Sequence, residues 1–157
     1  MDLITITAAT VFSMYLNASK TSGYYYNADI QNDKIFSLTV YKENGDLLTG
    51  KLKYEYAYDG QDRMTAKKVS RWSTHYNKWI RCYSLNYNYT NTGYDIERMK
   101  WNDHDQAYNE PIDKAVYSMF INNVTSVAQY KWNDRSHDFV MTDKMLVMSP
   151  QYDLVER

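Results

Sequence analysis

From Gly23 onward, apolar and polar residues alternate along the chain with a period of two. This is the pattern of β-strands that bury one face and leave the other in water. It is clearest where Leu52, Tyr54, Tyr56 and Tyr58 alternate with charged or small residues. An Asn-Gly pair, Asn44-Gly45, interrupts the pattern after the second alternating stretch and predicts a hairpin turn, because both residues tolerate positive φ.

The alternating stretches predict about nine strands joined by short polar turns. Their expected bounds are residues 24–30, 34–42, 47–58, 63–72, 78–89, 94–101, 112–120, 124–132 and 139–148. Strands joined by such short turns run antiparallel, so we expect an all-β antiparallel meander of repeated hairpins, with a sheet that is either open or rolled. No stretch has a 3.6-residue apolar stripe, and we therefore predict little or no helix.

A tryptophan-centred unit recurs three times with a period of 29 to 31 residues. Each copy has a basic residue, the Trp, a Ser or Asn, and an aromatic residue seven positions after the Trp. The copies are Arg71-Trp72-Ser73 with Trp79, Lys100-Trp101-Asn102 with Tyr108, and Lys131-Trp132-Asn133 with Phe139. Because each pair flanks a polar loop, we expect the two rings to face each other across neighbouring strands as an aromatic clasp, worth roughly 0.5–1.5 kcal/mol beyond its buried area.

The clasp residues are also the candidate ligand-binding residues, because Trp and Tyr on a sheet face can stack on sugar rings or bases. The basic residues that precede each Trp form a second candidate set: Arg71, Lys100 and Lys131. They alternate to the face opposite the tryptophans, at a spacing of roughly 10 Å. Such a column is either a solvated face or a contact for a linear polyanion.

Composition and charge exclude several classes of function. A formal net charge of −1 over 157 residues argues against nucleic-acid binding. The single cysteine, Cys82, cannot form an internal disulfide. His75 and His104 occupy equivalent loops, which lie too far apart to share a metal, so we expect no metal site and no cofactor. No catalytic residue is singled out, and a non-enzymatic protein is predicted.

The first residues form a separate segment. From Leu3 to Leu16 they are apolar or small, and Ala18-Ser19 offers a plausible cleavage point, so residues 1–22 are predicted to be a secretory signal peptide. Asp2 stands where Lys or Arg is expected. The alternatives are a first strand, in which Ile4 and Ile6 alternate with Thr, or a gene start placed too far downstream. Residues 23–149 then form one domain, and residues 150–157 a frayed tail. The apolar stretch is too short to span a bilayer, so no transmembrane segment is expected.

A resemblance to a known family rests on one part of the chain. Its residues are Tyr54-Glu55-Tyr56-Ala57-Tyr58-Asp59, Gln61-Asp62-Arg63-Met64, Lys67-Lys68 and the unit from Trp72 to Trp79. Over nearly its whole length the chain resembles small secreted proteins of gut-associated Gram-negative anaerobes that form a family of unknown function. More distantly, the Tyr-Asp turn before Arg63 is similar to the tyrosine-aspartate (Rhs-type) repeats of large bacterial surface and toxin-shell proteins. The resemblance implies an all-β repeat protein exported to the periplasm, cell surface or medium, and it brings no activity or cofactor.

Three classes of function remain open. The first is a binding module whose sheet aromatics contact a glycan or a partner protein. The second is a structural sheet that self-associates through its edges into a homo-oligomer. The third is a glycan hydrolase, which needs two carboxylates roughly 5–9.5 Å apart in a cleft.

Overall fold

The computed structural model describes residues 7–18 and 23–148, with the side chains of positions 16–18 excepted. It contains one helix and nine strands: α1 (Ala8–Ala18), β1 (Tyr24–Gln31), β2 (Lys34–Asn44), β3 (Leu47–Tyr58), β4 (Met64–Ser73), β5 (Lys78–Tyr89), β6 (Gly93–Asn102), β7 (Ala107–Ile121), β8 (Val124–Asn133) and β9 (Asp138–Met148). The predicted all-β meander is confirmed. The largest difference in bounds is in β7, which begins at Ala107 rather than at position 112.

All nine strands form one antiparallel sheet whose spatial order is the chain order. Each strand pairs only with its neighbours in sequence, and β1 and β9 are the two edges in the part of the chain that the structure describes. The sheet is therefore open, which decides between the two forms left possible by the sequence.

One face of the sheet, which we call the tyrosine face, carries the hydrophobic core. Ile35, Leu38 and Met64 are buried there against Val11 of α1, and a ring of tyrosines packs around them. These tyrosines are Tyr26, Tyr54, Tyr56, Tyr58 and Tyr87. Residues directly opposite one another in an antiparallel pair share a face, so the pairing of Tyr54 with both Leu38 and Val69 extends this face across three strands.

The opposite face, which we call the clasp face, carries the tryptophans. Trp72 pairs with Trp79, Trp101 with Tyr108, and Trp132 with Phe139. In β3, the clasp face is polar: Lys53 and Glu55 alternate there with the tyrosines of the other face. The sequence pattern thus places the core on one side of the sheet and the candidate ligand-binding residues on the other.

The hairpin at Asn44-Gly45 is present, but it is displaced by one residue from the prediction. Asn44 pairs with Leu47, so the two loop residues are Gly45 and Asp46. Gly45 has a φ of 62°, and Asn44 is not among the residues with positive φ. A glycine at the first loop position is what a type II′ turn requires.

The helix α1 lies within the segment predicted to be a signal peptide. Thr7 bridges to Arg63, the amide of Ala8 donates to the carbonyl oxygen of Asp62 at 2.9 Å, and Val11 is only 5% exposed. The alternative of a first strand is wrong from Ala8 to Ala18, while Ile4 and Ile6 lie outside the described residues. The signal peptide itself stays a prediction, and the predicted tail, residues 150–157, lies outside the described range. No described helix is long and apolar enough to cross a membrane.

Candidate functional site

The three aromatic clasps are present as cross-strand ring pairs. Their ring centroids are 5.2 Å apart for Trp72 and Trp79, 4.8 Å for Trp101 and Tyr108, and 5.2 Å for Trp132 and Phe139. The interplanar angles of 71°, 65° and 74° are those of edge-to-face contacts, which the ring quadrupoles favour. The clasp prediction is confirmed.

The residue after each Trp explains why the unit demands Ser or Asn there. Asn102 Oδ1 accepts hydrogen bonds from the amides of His104 and Asp105 at 2.9 and 3.1 Å. Asn133 Oδ1 does the same for Arg135 and Ser136 at 2.9 and 3.3 Å. Ser73 Oγ accepts one such bond, at 3.3 Å. These side chains satisfy loop amides that no strand partner reaches.

Each clasp loop also ends in a left-handed residue. Asn77, Gln106 and His137 have φ values of 51°, 52° and 50°. The three loops therefore share one backbone form, and this form brings each Trp opposite its aromatic partner.

A groove of about 750 Å³ lies on the clasp face beside the first two clasps. Half-exposed Trp79 and Trp101 contribute to its walls, and Tyr76, which is 66% exposed, stands at its rim. The other lining residues are Lys53, Glu55, Ser70, Arg71, Ser73, Lys78, Ile80, Arg81, Asp103 and Gln106. The groove thus combines partly exposed indole surface with a polar lining that includes cationic and acidic side chains.

The floor of the groove is a cross-strand row on β3, β4 and β5. Lys53 pairs with Ser70, and Ser70 pairs with Arg81. The guanidinium carbon of Arg81 lies 4.6 Å from the ring centroid of Trp101, a cation–π contact. Arg81 therefore links the polar floor to the aromatic wall.

Trp79 of β5 reaches across β4 and packs against the backbone of β3 at Gly50. A Cβ built on Gly50 would lie 3.1 Å from Cζ2 of Trp79 and 3.4 Å from Cγ of Trp72. The first clasp thus lies directly over Gly50, where a larger residue would displace the indoles.

Tyr108, the clasp partner of the groove residue Trp101, lies next to the groove. Its hydroxyl oxygen is buried and has no hydrogen-bond partner among the described residues. Burial raises the pKa of Tyr108; Arg81 acts in the opposite direction, and Glu55 adds to the rise. Lys68 Nζ lies 5.9 Å from the Tyr108 ring centroid. Tyr108 therefore reaches the charged groups of β3 to β5 from its position on β7.

Of the predicted ligand-binding residues, the structure brings four together and leaves two apart. Trp72, Trp79, Trp101 and Tyr108 lie in or next to the groove. Trp132 lines a separate hollow of about 440 Å³ with Lys131 and Arg135, and its partner Phe139 has Lys114 Nζ 5.7 Å from its ring centroid. As ligand-binding residues, all six remain predictions.

The basic column lies on the tyrosine face by strand register, as predicted. All three residues are exposed, and acidic groups stand beside two of them. Lys100 forms an ion pair with Glu110 at 3.6 Å, and Lys131 stands opposite Asp113. A contact with a linear polyanion at this column stays a prediction.

Lys53 and Arg81 are groove residues that the sequence pattern did not predict. Cys82 is an extra residue in β5: Tyr83 pairs with Val69 and Arg81 with Ser70, so the register shifts between them. The bulge leaves Arg81 on the clasp face with Trp79 and places Tyr83 on the tyrosine face. The sequence carries one signal for the site role of Arg81, which is its position two residues after Trp79.

The described residues contain no group of three or more His, Cys, Asp or Glu side chains placed to hold a metal ion. His75 instead packs edge-on against Tyr76, with ring centroids 4.6 Å apart. Cys82 is a free thiol whose Sγ lies 3.5 Å from the carbonyl oxygen of Ile80.

Comparison with known proteins assigns the chain to a family. The model of the family of unknown function DUF3836 matches residues 1–119. The chain belongs to DUF3836. Curated proteins give no match.

A crystal structure of a protein of unknown function from Bacteroides fragilis is similar to this DUF3836 chain, with 21% identity and a TM-score of 0.69 over 87% of the chain and 98% of that structure. Two DUF3836 crystal structures also match at 20% identity. The one from Bacteroides vulgatus has a TM-score of 0.43 and covers 80% of this chain and 99% of its own. The one from Parabacteroides distasonis has a TM-score of 0.41 and covers 80% and 89%. The similarity to the Bacteroides fragilis structure supports the fold described above.

Proposed function

We propose that this DUF3836 chain is a non-enzymatic binding module that holds a carbohydrate chain in the groove of its clasp face. The observation that carries the proposal is the groove itself: about 750 Å³ of open volume between half-exposed Trp79 and Trp101, with a polar floor. Ligand sites typically combine aromatic surface with a few polar groups that fix orientation.

A sugar ring matches this combination of surfaces. Its C–H face is apolar and stacks on an indole, while its hydroxyls need hydrogen-bond donors and acceptors around the ring edge. Lys53, Arg81, Glu55 and Gln106 supply such groups along the groove. A purely apolar ligand would leave these charges desolvated and unpaired, at a cost of free energy.

A binding role is favoured over hydrolysis by the way the carboxylates are used. Two acidic residues line the groove, Glu55 and Asp103. Asp103 Oδ1 accepts the indole N–H of Trp101 at 2.8 Å, which fixes the orientation of that ring. The Asp103 carboxylate therefore already holds the Trp101 ring in position in the groove.

The apolar stretch from Leu3 to Leu16 supports export to the periplasm, the cell surface or the medium. Each of these locations would give the module access to polysaccharides outside the cytoplasm. Export and glycan binding are separate parts of the proposal and are tested separately.

The binding test uses the four tryptophans as reporters. Acrylamide quenching of the purified protein is measured with and without a panel of soluble glycans. We expect a bound glycan to protect Trp79 and Trp101 from quenching by acrylamide. Trp79→Ala and Trp101→Ala should each lower the affinity for the glycan by about tenfold or more, the typical cost of a lost stacking contact.

Trp132→Ala is the matched control, because it removes the same type of clasp away from the groove. It is expected to leave the affinity unchanged. Equal losses in all three variants, or no protection of any tryptophan by any glycan, would contradict the proposed site. Far-UV circular dichroism of each variant verifies that the sheet is intact.

Self-association through β9 is a second candidate function. This edge strand exposes apolar side chains along its length: Val140, Met141, Met145, Leu146, Val147 and Met148 are 45–76% exposed. Two copies paired antiparallel about Met145 would set Lys144 opposite Leu146 and Asp143 opposite Val147, so no like charges would face each other. Sedimentation velocity tests this: a dimer that Met145→Lys dissociates supports it, and a monomer at 100 µM concentration would rule it out.

A further inference from the structure

The groove contains cationic side chains that pair with no carboxylate of the described residues. Elsewhere in the described part of the chain, five cationic side chains form ion pairs with carboxylates: Lys34, Arg63, Arg98, Lys100 and Lys114. Lys53, Lys78 and Arg81, which line the groove, form no ion pair within the part of the chain that the structure describes. Against them stand two carboxylates, Glu55 and Asp103. The groove of a chain with a formal net charge of −1 thus carries positive charge that no ion pair neutralises.

Two of these cations are placed together on the floor. Lys53 and Arg81 flank Ser70 in one row across three adjacent strands, so they project from the same face. Strands lie about 4.8 Å apart, which brings two strands' separation to roughly 10 Å. A ligand that follows this row meets positive charge at both ends.

Arg81 is also oriented in advance. Its guanidinium lies over the Trp101 ring, 4.6 Å from the centroid, and the Trp101 indole is held in turn by Asp103. A guanidinium stacked on a ring keeps its N–H groups free at the edge, where they form two parallel hydrogen bonds with a carboxylate or a sulfate. The stacking lowers the entropy lost when such a pair forms.

We infer that the ligand of the groove is an acidic polysaccharide, in which a carboxylate or sulfate is bound by Arg81 and Lys53 while an adjacent sugar ring stacks on Trp79 or Trp101. The inference rests on the proposed carbohydrate-binding function and specifies its ligand class. The aromatic walls account for the sugar, and the unpaired cations account for the acid.

The experiment compares probes of similar length in a titration followed by tryptophan fluorescence. Polygalacturonate carries carboxylates, chondroitin sulfate carries sulfates as well, and dextran is neutral. We expect polygalacturonate or chondroitin sulfate to bind at least tenfold more tightly than dextran at 50 mM NaCl, and the advantage to shrink at 500 mM because salt screens the charges.

The substitutions separate the contribution of the bidentate guanidinium geometry from that of the positive charge. Arg81→Met is expected to lose about tenfold in affinity for the acidic probe and little for dextran, with Arg81→Lys between the wild type and Arg81→Met because it keeps the charge without the bidentate geometry. Lys53→Met is expected to weaken the same probe. Lys131→Met is the matched control, since it removes an exposed cation from the opposite face. Melting curves establish that every variant is folded.

The outcomes distinguish the ligand class from the function. If dextran binds as well as the acidic probes and Arg81→Met changes neither, the acidic ligand is wrong and carbohydrate binding stands. If no polysaccharide binds, the proposed function fails and the inference fails with it. If single-stranded oligo(dT) binds more tightly than either acidic polysaccharide and depends equally on Arg81, the ligand is a nucleic acid and the inference is overturned.

Discussion

Gly93 lies so close to the backbone of Tyr117 that a Cβ atom on Gly93 would stand 1.9 Å from the Tyr117 carbonyl oxygen. Gly93 begins β6 opposite Ser118 of β7. The next pair along, Tyr94 and Tyr117, stacks with ring centroids 4.8 Å apart and planes 13° from parallel. Glycine at position 93 is what allows the strands to approach closely at this point.

Gly93→Ala is therefore expected to destabilise the fold by about 3 kcal/mol, because overpacking against rigid backbone forces the strands apart. Urea unfolding measures the change in the free energy of unfolding. Gly60→Ala is the control: nothing lies within 4 Å of a Cβ at that position, so a change of less than about 0.5 kcal/mol is expected. Equal effects of both substitutions would contradict the steric account.

The Asn side chains that cap the clasp loops should contribute measurably to stability. Asn102→Ala leaves the amides of His104 and Asp105 without their acceptor. We expect a loss of about 1 kcal/mol in the free energy of unfolding, the usual net value of such bonds. Asn91→Ala is the control, because Asn91 lies in the exposed β5–β6 turn. If Asn91→Ala lowered the free energy of unfolding as much as Asn102→Ala, the lost cap would not be the cause.

The tyrosine face predicts loss of stability at alkaline pH. Burial raises the pKa of Tyr58 and of Tyr87 to about 12, above the ordinary value of 10.0 for tyrosine. Because the raised pKa belongs to the folded state, the unfolded state ionises first. Stability is therefore full below pH 10 and falls between about pH 10 and 12. Unfolding followed at fixed pH values from 8 to 12 tests this.

Tyr87→Phe provides the specific test of that mechanism. It removes one of the buried phenols, so the decline of stability above pH 10 should be shallower than in the wild type. An unchanged slope would mean that Tyr87 does not take part. Absorbance at 295 nm reports tyrosinate directly and should rise together with unfolding.

The contact between α1 and the sheet gives a prediction about the start of the chain. Val11 is 5% exposed and packs on Ile35, Leu38 and Met64. In the full chain, Val11→Ala should cost about 2 kcal/mol, since it removes two buried methyl groups. Ser13→Ala, on the exposed side of the helix, should cost less than about 0.5 kcal/mol.

Mass spectrometry of the exported protein decides whether this contact exists after secretion. Cleavage near Ala18 would confirm the signal peptide. Without cleavage, Val11→Ala should destabilise the exported protein as it does the full chain.

The fold was predictable because the alternation in strands such as β3 is regular and because the turns carry recognisable residues. Tyr54, Tyr56 and Tyr58 mark the buried face without ambiguity, and each Trp is tied to its partner by a fixed loop length. These are local signals, within a dozen residues of each other. Such local signals are nearly sufficient to predict a sheet in which every strand pairs with its neighbour in sequence.

The site was less predictable because it depends on register across several strands. Single extra residues at Lys51, Cys82 and Ile112 shift the pairing, and each shift changes which face the later residues occupy. The contact of Arg81 with Trp101 joins β5 to β6 and follows only after the bulge at Cys82 is placed. Helix α1 was also missed, because its segment is apolar with no clear helical stripe.

The strictly sequential order of the strands has a consequence for how such proteins can change in evolution. A hairpin with its own clasp contacts only the hairpins before and after it, as in repeat proteins whose units are joined by nearest-neighbour interfaces. Gene duplication or loss of one 29- to 31-residue unit would lengthen or shorten the sheet without breaking a distant contact. The number of clasps, and with it the length of the aromatic surface, can therefore vary between relatives while the fold stays the same.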